Sequence, residues 1–238
     1  MKTLAIVIPV YNEGQHILET IRQIIDKVHG DYKAYFIYDM EEDTSVPHIK
    51  SVNDPRIVLM RNKYGRGVLN AIKTGLEETK EDNVIVFMAD LSEDPKFIND
   101  MVAKASDGFD IVCGSRYMKG GAQIGAPRFK SFLSRMAGIS LNLLTGIPTH
   151  DISDSFKLYS RKVLNNIKIE SVGGFEIGME IVVKAYLKGY SITEIPVVWR
   201  DRTEGRSNFK LMQWLPRYLH WYFYLLSKRG PNFAGKQA

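Results

Sequence analysis

Leu4 to Val10 is an apolar run rich in β-branched side chains, and it stops abruptly at Tyr11-Asn12-Glu13-Gly14. A run unbroken by polar residues predicts a strand buried on both faces, the environment of a parallel sheet. From Gly14 the period changes, and Ile17, Leu18, Ile21, Ile24, Ile25 and Val28 recur at helical spacing. A buried strand feeding an amphipathic helix restricts the chain to α/β architectures. It also puts an aromatic, an amide and a carboxylate at the carboxyl end of a central strand, the edge at which open α/β sheets bind ligands.

The same alternation continues. Lys33 to Asp39, Arg56 to Met60, Asn83 to Met88 and Asp110 to Gly114 read as strands two to five. Between them, Gly67 to Glu78 has helical spacing, and Pro95 opens a further helix as a first-turn proline can. Strands alternating with helices of this length predict a mostly parallel sheet with helices on both faces. After residue 115 the alternation breaks. Gly120 to Pro127 reads as a flexible loop, Arg128 to Leu144 and Phe175 to Lys188 as helices, and Ser155 to Tyr159 as a short strand. Ser191 to Val198 reads as another strand and Asp201 to Ser207 as a charged loop. The expected organisation is a nucleotide-binding half over about residues 1–115, an acceptor half over about 116–210, and a tail helix over 211–238.

Composition narrows the function. With 238 residues and 45% hydrophobic content the chain has a full core and is not a disordered segment. The net charge of +5 is concentrated in Arg116 to Lys130 and Arg200 to Lys236. That asymmetry favours an anionic ligand or a membrane surface over nucleic acid, for which no recognition motif is present. The single cysteine, Cys113, sits in an apolar strand as a small core residue, and no disulfide framework exists. Neither a signal peptide nor an apolar run of the ~20 residues needed to span a bilayer is visible, so a cytoplasmic protein is expected, peripheral at the inner face of the membrane. Leu211 to Lys228 supports that contact, because Trp214, Tyr218, Trp221, Tyr222, Phe223 and Tyr224 alternate with basic residues as in a headgroup-zone helix. The rival reading is a packing helix or a homo-oligomer contact.

Several positions carry candidate chemistry. Val84 to Ala89 delivers Asp90 to the sheet edge, with Ser92 close behind. Mg²⁺ or Mn²⁺ takes oxygen ligands and keeps substrate phosphate in its open positions, so Asp90 and Ser92 are the metal candidates. Glu93 and Asp94 read as caps of the next helix, and Glu41, Glu42 and Asp43 as solvated acids. Arg66 and Gly67 lead into a helix whose first N–H groups face a phosphate. His150 reads as a turn residue beside Asp151. Glu180, between Met179 and Ile181, is either a partly buried structural acid or faces the acceptor.

Several motifs in one order carry a resemblance. These are Pro9-Val10-Tyr11-Asn12-Glu13, Gly114-Ser115-Arg116-Tyr117 with Gly120-Gly121 and Arg128, and Asp151-Ile152-Ser153-Asp154-Ser155-Phe156-Lys157. Phe175 to Glu180, Glu194-Ile195-Pro196 and Arg202 to Ser207 follow. Together they resemble the family 2 glycosyltransferases of GT-A fold, in the polyprenyl-phosphate, dolichyl-phosphate mannosyltransferase-like branch. The resemblance implies a Rossmann-like sheet flanked by helices and inverting, metal-assisted transfer from a UDP- or GDP-sugar to a polyprenyl phosphate. The alternatives are a saccharide hydroxyl acceptor and a catalytically impaired nucleotide-sugar-binding protein. It implies donor contacts at Pro9, Tyr11, Asn12, Glu13, Asp39, Arg66, Gly67 and Asp90, and acceptor-phosphate contacts at Arg116, Arg128 and Ser207. Asp151, Asp154, Glu180 and Arg202 are the catalytic candidates. The family's Asp-x-Asp reads Met88-Ala89-Asp90 here.

Overall fold

The computed structural model describes residues 2–201 and 211–229. Strands β1 (Leu4–Val10), β2 (Tyr32–Tyr38), β3 (Ile57–Arg61) and β4 (Asn83–Val86) pair in parallel, in the spatial order β3-β2-β1-β4. The sheet continues through β5 (Ile111–Ser115), while β6 (Ala122–Ile124) lies outside it. Strand β7 (Lys157–Ser160) runs antiparallel between β4 and β5, and β8 (Ile192–Pro196) closes the far edge parallel to β5. The seven strands form one sheet, so residues from both halves of the sequence share it.

Both faces are covered, which is why the strands are continuous apolar runs rather than alternating ones. On one face Ile6, Ile8, Phe36 and Phe87 pack under α1 (Ile17–Lys27) and the short α2 (Val46–Lys50). On the other, Ala5, Val7 and Val84 meet Leu69, Ile72 and Leu76 of α3 (Val68–Glu78). Helix α4 (Phe97–Ser106) returns to the first face through Ile98 and Met101. Three of the remaining helices are α5 (Arg128–Thr145), α6 (Arg161–Asn166) and α7 (Ile177–Leu187). The last, α8 (Leu211–Arg229), follows strand β9 (Val198–Arg200) in the chain.

Three expectations change. Strand four ends at Val86 rather than Met88, because β7 pairs only with Asn83 to Val86. The segment 120–127 is not all loop: Ala122 to Ile124 form β6, which pairs in parallel with β9. The tail is a packed helix. Trp221 and Leu225 of α8 are buried, Trp221 Nε1 donates to Ser171 Oγ at 3.2 Å, and Tyr222 OH lies 2.9 Å from Ser140 Oγ of α5. No helix among the described residues is long and apolar enough to cross a membrane. Helix α5 itself lies hard against the 150–151 turn, where a Cβ on Gly138 would stand 1.9 Å from the His150 carbonyl oxygen.

Candidate functional site

Among the described residues two non-glycine residues have positive φ, Asn12 and Leu91, each at 55°. They follow β1 and β4, neighbours in the middle of the sheet, at the same edge. For leucine this conformation costs on the order of 1–2 kcal/mol, and strain of this kind collects where a site dictates the backbone. The site is therefore built upward from that edge.

The first loop is pinned from the next one. Asn12 N–H donates to Asp43 Oδ2 at 3.0 Å and Glu13 N–H to Ser45 Oγ at 2.9 Å, while Asn12 Oδ1 accepts from Thr44 N–H at 3.2 Å. Asp43 is thus a buried brace and not the solvated acid expected; the Asp-x-Ser spacing of a local turn was its only sequence signal. The brace leaves Tyr11 exposed above the edge. Pro9 is buried within β1 opposite Ile37 and shapes the strand end.

Asp39 sits just beyond β2, half-buried, and ties down the loop after β3. Its Oδ1 accepts from Asn62 Nδ2 at 2.7 Å and its Oδ2 from Gly67 N–H at 2.9 Å. Gly67 precedes α3 with φ 118°, a conformation that an L-residue rarely adopts. The structure brings Asp39 and Gly67 together and leaves Arg66 exposed beside them.

Beyond β4, Asp90 Oδ1 accepts from Ser92 N–H at 3.1 Å. Ser92 is buried, and its Oγ has no hydrogen-bond partner among the described residues. A carboxylate and an orphaned hydroxyl at one turn are hard oxygen donors, a set that suits Mg²⁺ or Mn²⁺ completed by phosphate oxygens. Asp94 behaves as expected, with Oδ1 accepting from Lys96 N–H at 3.1 Å near the start of α4. Glu93 does not. It is 2% exposed, and its backbone forms an isolated antiparallel bridge with Trp199. Burial pushes its carboxyl well above the usual range, with Asp154 and then Asp90 acting in the same sense and Arg116 opposing. Ser92-Glu93-Asp94-Pro95 resembles a helix start so closely that nothing local marked Glu93 as buried.

Arg116 follows β5 and is the hub of a buried charge cluster. Its Nε lies 2.6 Å from Asp151 Oδ2 and its terminal nitrogen 2.8 Å from Oδ1, a two-pronged pair. Asp154 Oδ2 approaches Nε at 3.2 Å as well, without the alignment of a hydrogen bond. Serines 134 and 153 complete the arginine's contacts at 3.3 and 3.2 Å. Asp151 is fully buried; burial would raise its carboxyl, yet the Arg116 guanidinium holds it below the usual range. Asp154 keeps the opposite balance, raised by burial against the pull of Arg116. The Arg116 fork, the expected phosphate contact, is engaged here by the Asp151 carboxylate, which anchors it.

Glu180 is resolved in favour of structure. It is 0% exposed and accepts from Glu170 N–H at 2.6 Å, Ser171 N–H at 2.8 Å and Lys184 Nζ at 2.5 Å. Glu176 likewise accepts from Gly173 N–H at 2.8 Å and Gly174 N–H at 2.7 Å. The two carboxylates hold the 170–174 turn, which α8 meets through Trp221 and Ser171, while the following Phe175 meets Trp214 at 6.3 Å between ring centroids. The hydroxyl of Tyr218 in α8 is pushed up by burial first and by Glu176 second. Arg128 is exposed at the start of α5, beside half-buried Lys130, which sequence reasoning passed over. Arg202 and Ser207 lie outside the described residues.

Comparison with known proteins places this geometry. Dolichol-phosphate mannosyltransferase of Pyrococcus furiosus is 28% identical over 213 residues, covering 87% of this chain and 59% of that protein. The undecaprenyl-phosphate 4-deoxy-4-formamido-L-arabinose transferase of Pseudomonas fluorescens is 29% identical over 218 residues, covering 88% and 61%. The chain thus spans about three fifths of the length of these curated relatives. Among solved structures, glucosyl-3-phosphoglycerate synthase from Mycobacterium tuberculosis, crystallised with Mn²⁺, UDP and glucosyl-3-phosphoglycerate, superposes with a TM-score of 0.69. It is 17% identical over 98% of this chain and 82% of that one, which establishes the GT-A fold. The family model of Glycosyl transferase family 2 matches residues 5–168, more than half of the sequence. The chain belongs to glycosyl transferase family 2.

Proposed function

We propose that this chain transfers a sugar, with inversion, from a UDP- or GDP-sugar to a polyprenyl phosphate at a membrane surface. The observation that carries the acceptor is helix α5. Its inner side bonds into the hub through Ser134, which contacts Arg116, Tyr117 and Ser153. Its outer side presents Phe129, Phe132, Met136 and Leu143, with Phe129 67% and Leu143 71% exposed. Exposed phenylalanines flanked by Arg128 and Arg135 match an anionic lipid surface. Phe223 of α8 is exposed as well.

The donor belongs at the opposite end of the edge. Tyr11, Asp39, Arg66 and Gly67 surround the nucleoside position, and Asp90 with Ser92 would hold Mg²⁺ or Mn²⁺ against the diphosphate. The metal supplies charge stabilisation for the departing diphosphate. The protein's own part is positioning, because a phosphate oxygen is already ionised at neutral pH and needs no base. The engagement of Asp151 and Glu180 by internal donors supports this acceptor over a saccharide hydroxyl. Arg128, exposed at the start of α5, would meet the lipid phosphate, with Arg116 behind it as a fixed positive charge.

Mn²⁺-dependent transfer of labelled sugar from a panel of UDP- and GDP-sugars to polyprenyl phosphate tests the reading; no transfer from any donor would reject it. Membrane contact has its own test. Truncation before Leu211 would strip Trp221 and Leu225 from the core, so the probe is Phe129→Ser/Phe132→Ser. Co-sedimentation with vesicles of phosphatidylcholine and phosphatidylglycerol is expected to fall about tenfold or more, since two phenylalanines inserted into the bilayer would contribute roughly 1.5–3 kcal/mol each. UDP affinity is expected to stay unchanged.

A further inference from the structure

Glu194 lies on β8, at the far edge of the sheet, in register with Cys113 of β5, three residues before Arg116. Its side chain is only 11% exposed, and a carboxylate so placed is costly unless polar groups meet it. Three do, all from one turn. Oε2 accepts from His150 N–H at 2.8 Å and from Thr149 Oγ1 at 3.2 Å, and Oε1 lies 2.6 Å from His150 Nδ1. The 149–151 segment belongs to no helix or strand, so its N–H groups need partners of this kind. Asp151 N–H donates to Thr149 Oγ1 at 3.2 Å, which extends the bonds from β8 to Asp151. Asp151 in turn spans the Arg116 guanidinium and accepts from Arg116 N–H at 3.1 Å.

Helix α5 fixes the same turn from its other side. Gly138 lets the helix close on the His150 carbonyl, and Asn142 Nδ2 donates to the Ile147 carbonyl at 2.8 Å, the oxygen that also accepts from Thr149 N–H at 2.8 Å. A turn held between a strand and a helix has little freedom, so the Asp151 carboxylate meets Arg116 already oriented. Resting on the reading of Arg116 as the fixed charge behind the acceptor, we infer that Glu194 is a positioning residue, which sets the 149–151 turn so that Asp151 spans the Arg116 fork. Its effect on transfer passes through Thr149, Asp151 and Arg116, each bonded to the next.

Glu194→Met keeps the length of the side chain and removes its acceptors, while Glu194→Gln restores one acceptor oxygen to the turn. Thr149→Val breaks the same path at its next bond, so the test survives a Glu194→Met chain that fails to fold. Two readouts are taken at a temperature where the variants compared are folded. The first is hydrogen exchange of the Arg116 Nε–H proton by NMR, assigned by its absence in Arg116→Lys. Exchange should quicken about tenfold or more in Glu194→Met and Thr149→Val, because the carboxylate no longer protects that proton, and return toward wild type in Glu194→Gln. The second is transfer to polyprenyl phosphate. There kcat should fall about 10–100-fold in Glu194→Met while the donor KM stays within about twofold, because orientation and not donor binding is lost. Glu194→Gln should recover most of that loss. Added to Asp151→Asn, Glu194→Met should cost less in kcat than it does alone, since the path is already broken. Unchanged Arg116 exchange, no recovery in Glu194→Gln, or additive losses would overturn the proposal. Exchange needs no substrate: quickened exchange in Glu194→Met, with no transfer by wild type, rejects the assigned acceptor and keeps the positioning.

Discussion

Asp90→Ala is expected to abolish the Mn²⁺ enhancement of UDP or GDP binding and to lower transfer by roughly 10²–10³-fold. The fold-change is that of removing one preorganised charge-stabilising group from a transition state. Asp90 is the one carboxylate of the acidic motif left at this edge, since Met88 occupies the other position. Ser92 offers a hydroxyl, and no cluster of three or more metal-binding side chains exists among the described residues. A site of this composition holds a hard divalent cation only together with phosphate oxygens. The metal should therefore bind weakly alone and tightly with nucleotide. Calorimetry of UDP and GDP with and without Mn²⁺, on wild type and Asp90→Ala, reads this directly. Unchanged metal dependence in the variant would remove Asp90 from the site. Asp39→Ala should weaken nucleotide binding without metal as well, because it releases the Asn62 and Gly67 contacts that shape the loop proposed to hold the nucleoside.

Breaking the buried pair should produce the largest loss of stability. Arg116→Met and Asp151→Asn are each expected to cost about 3–5 kcal/mol, the usual result of orphaning one buried charge. For a domain of this size that is a melting decrease of roughly 6–20 °C. The double variant Arg116→Met/Asp151→Asn should lose less than the sum of the two, because each single variant orphans the other's charge. Losses that simply add would contradict the pair. The pH dependence has a definite sign. Arg116 holds the Asp151 carboxyl below its unfolded value, so its contribution is fully present above that value, near about pH 4, and is lost as pH falls through the folded pKa. Acid unfolding of wild type should be steeper than that of Asp151→Asn in that window.

Much of the donor side was legible before any coordinates. The unbroken run Leu4–Val10, the 3.6-residue recurrence from Ile17 to Ile24 and the later strands each announce burial by periodicity alone. Burial on both faces forces a parallel sheet, and a parallel sheet puts every strand's carboxyl end on one edge. Tyr11, Asp39 and Asp90 were therefore placed together by topology, before any contact between them was known. The acceptor side was different. β7 is four residues long, and nothing in Lys157–Ser160 says that it runs antiparallel between β4 and β5. The motif around Asp151 to Lys157 marked residues that matter and left their partners open. Arg116 and Asp151 are 35 positions apart, so their pairing depends on how the 150–151 turn lies beneath α5. Glu93 and Asp43 looked like caps and solvated acids because local sequence records charge and spacing but not which neighbour excludes water. Periodicity determined the elements and the edge at which they end; only the crossing of helices and the insertion of one short strand decided which charges are buried together, and hence which carboxylates brace the site and which face its ligand.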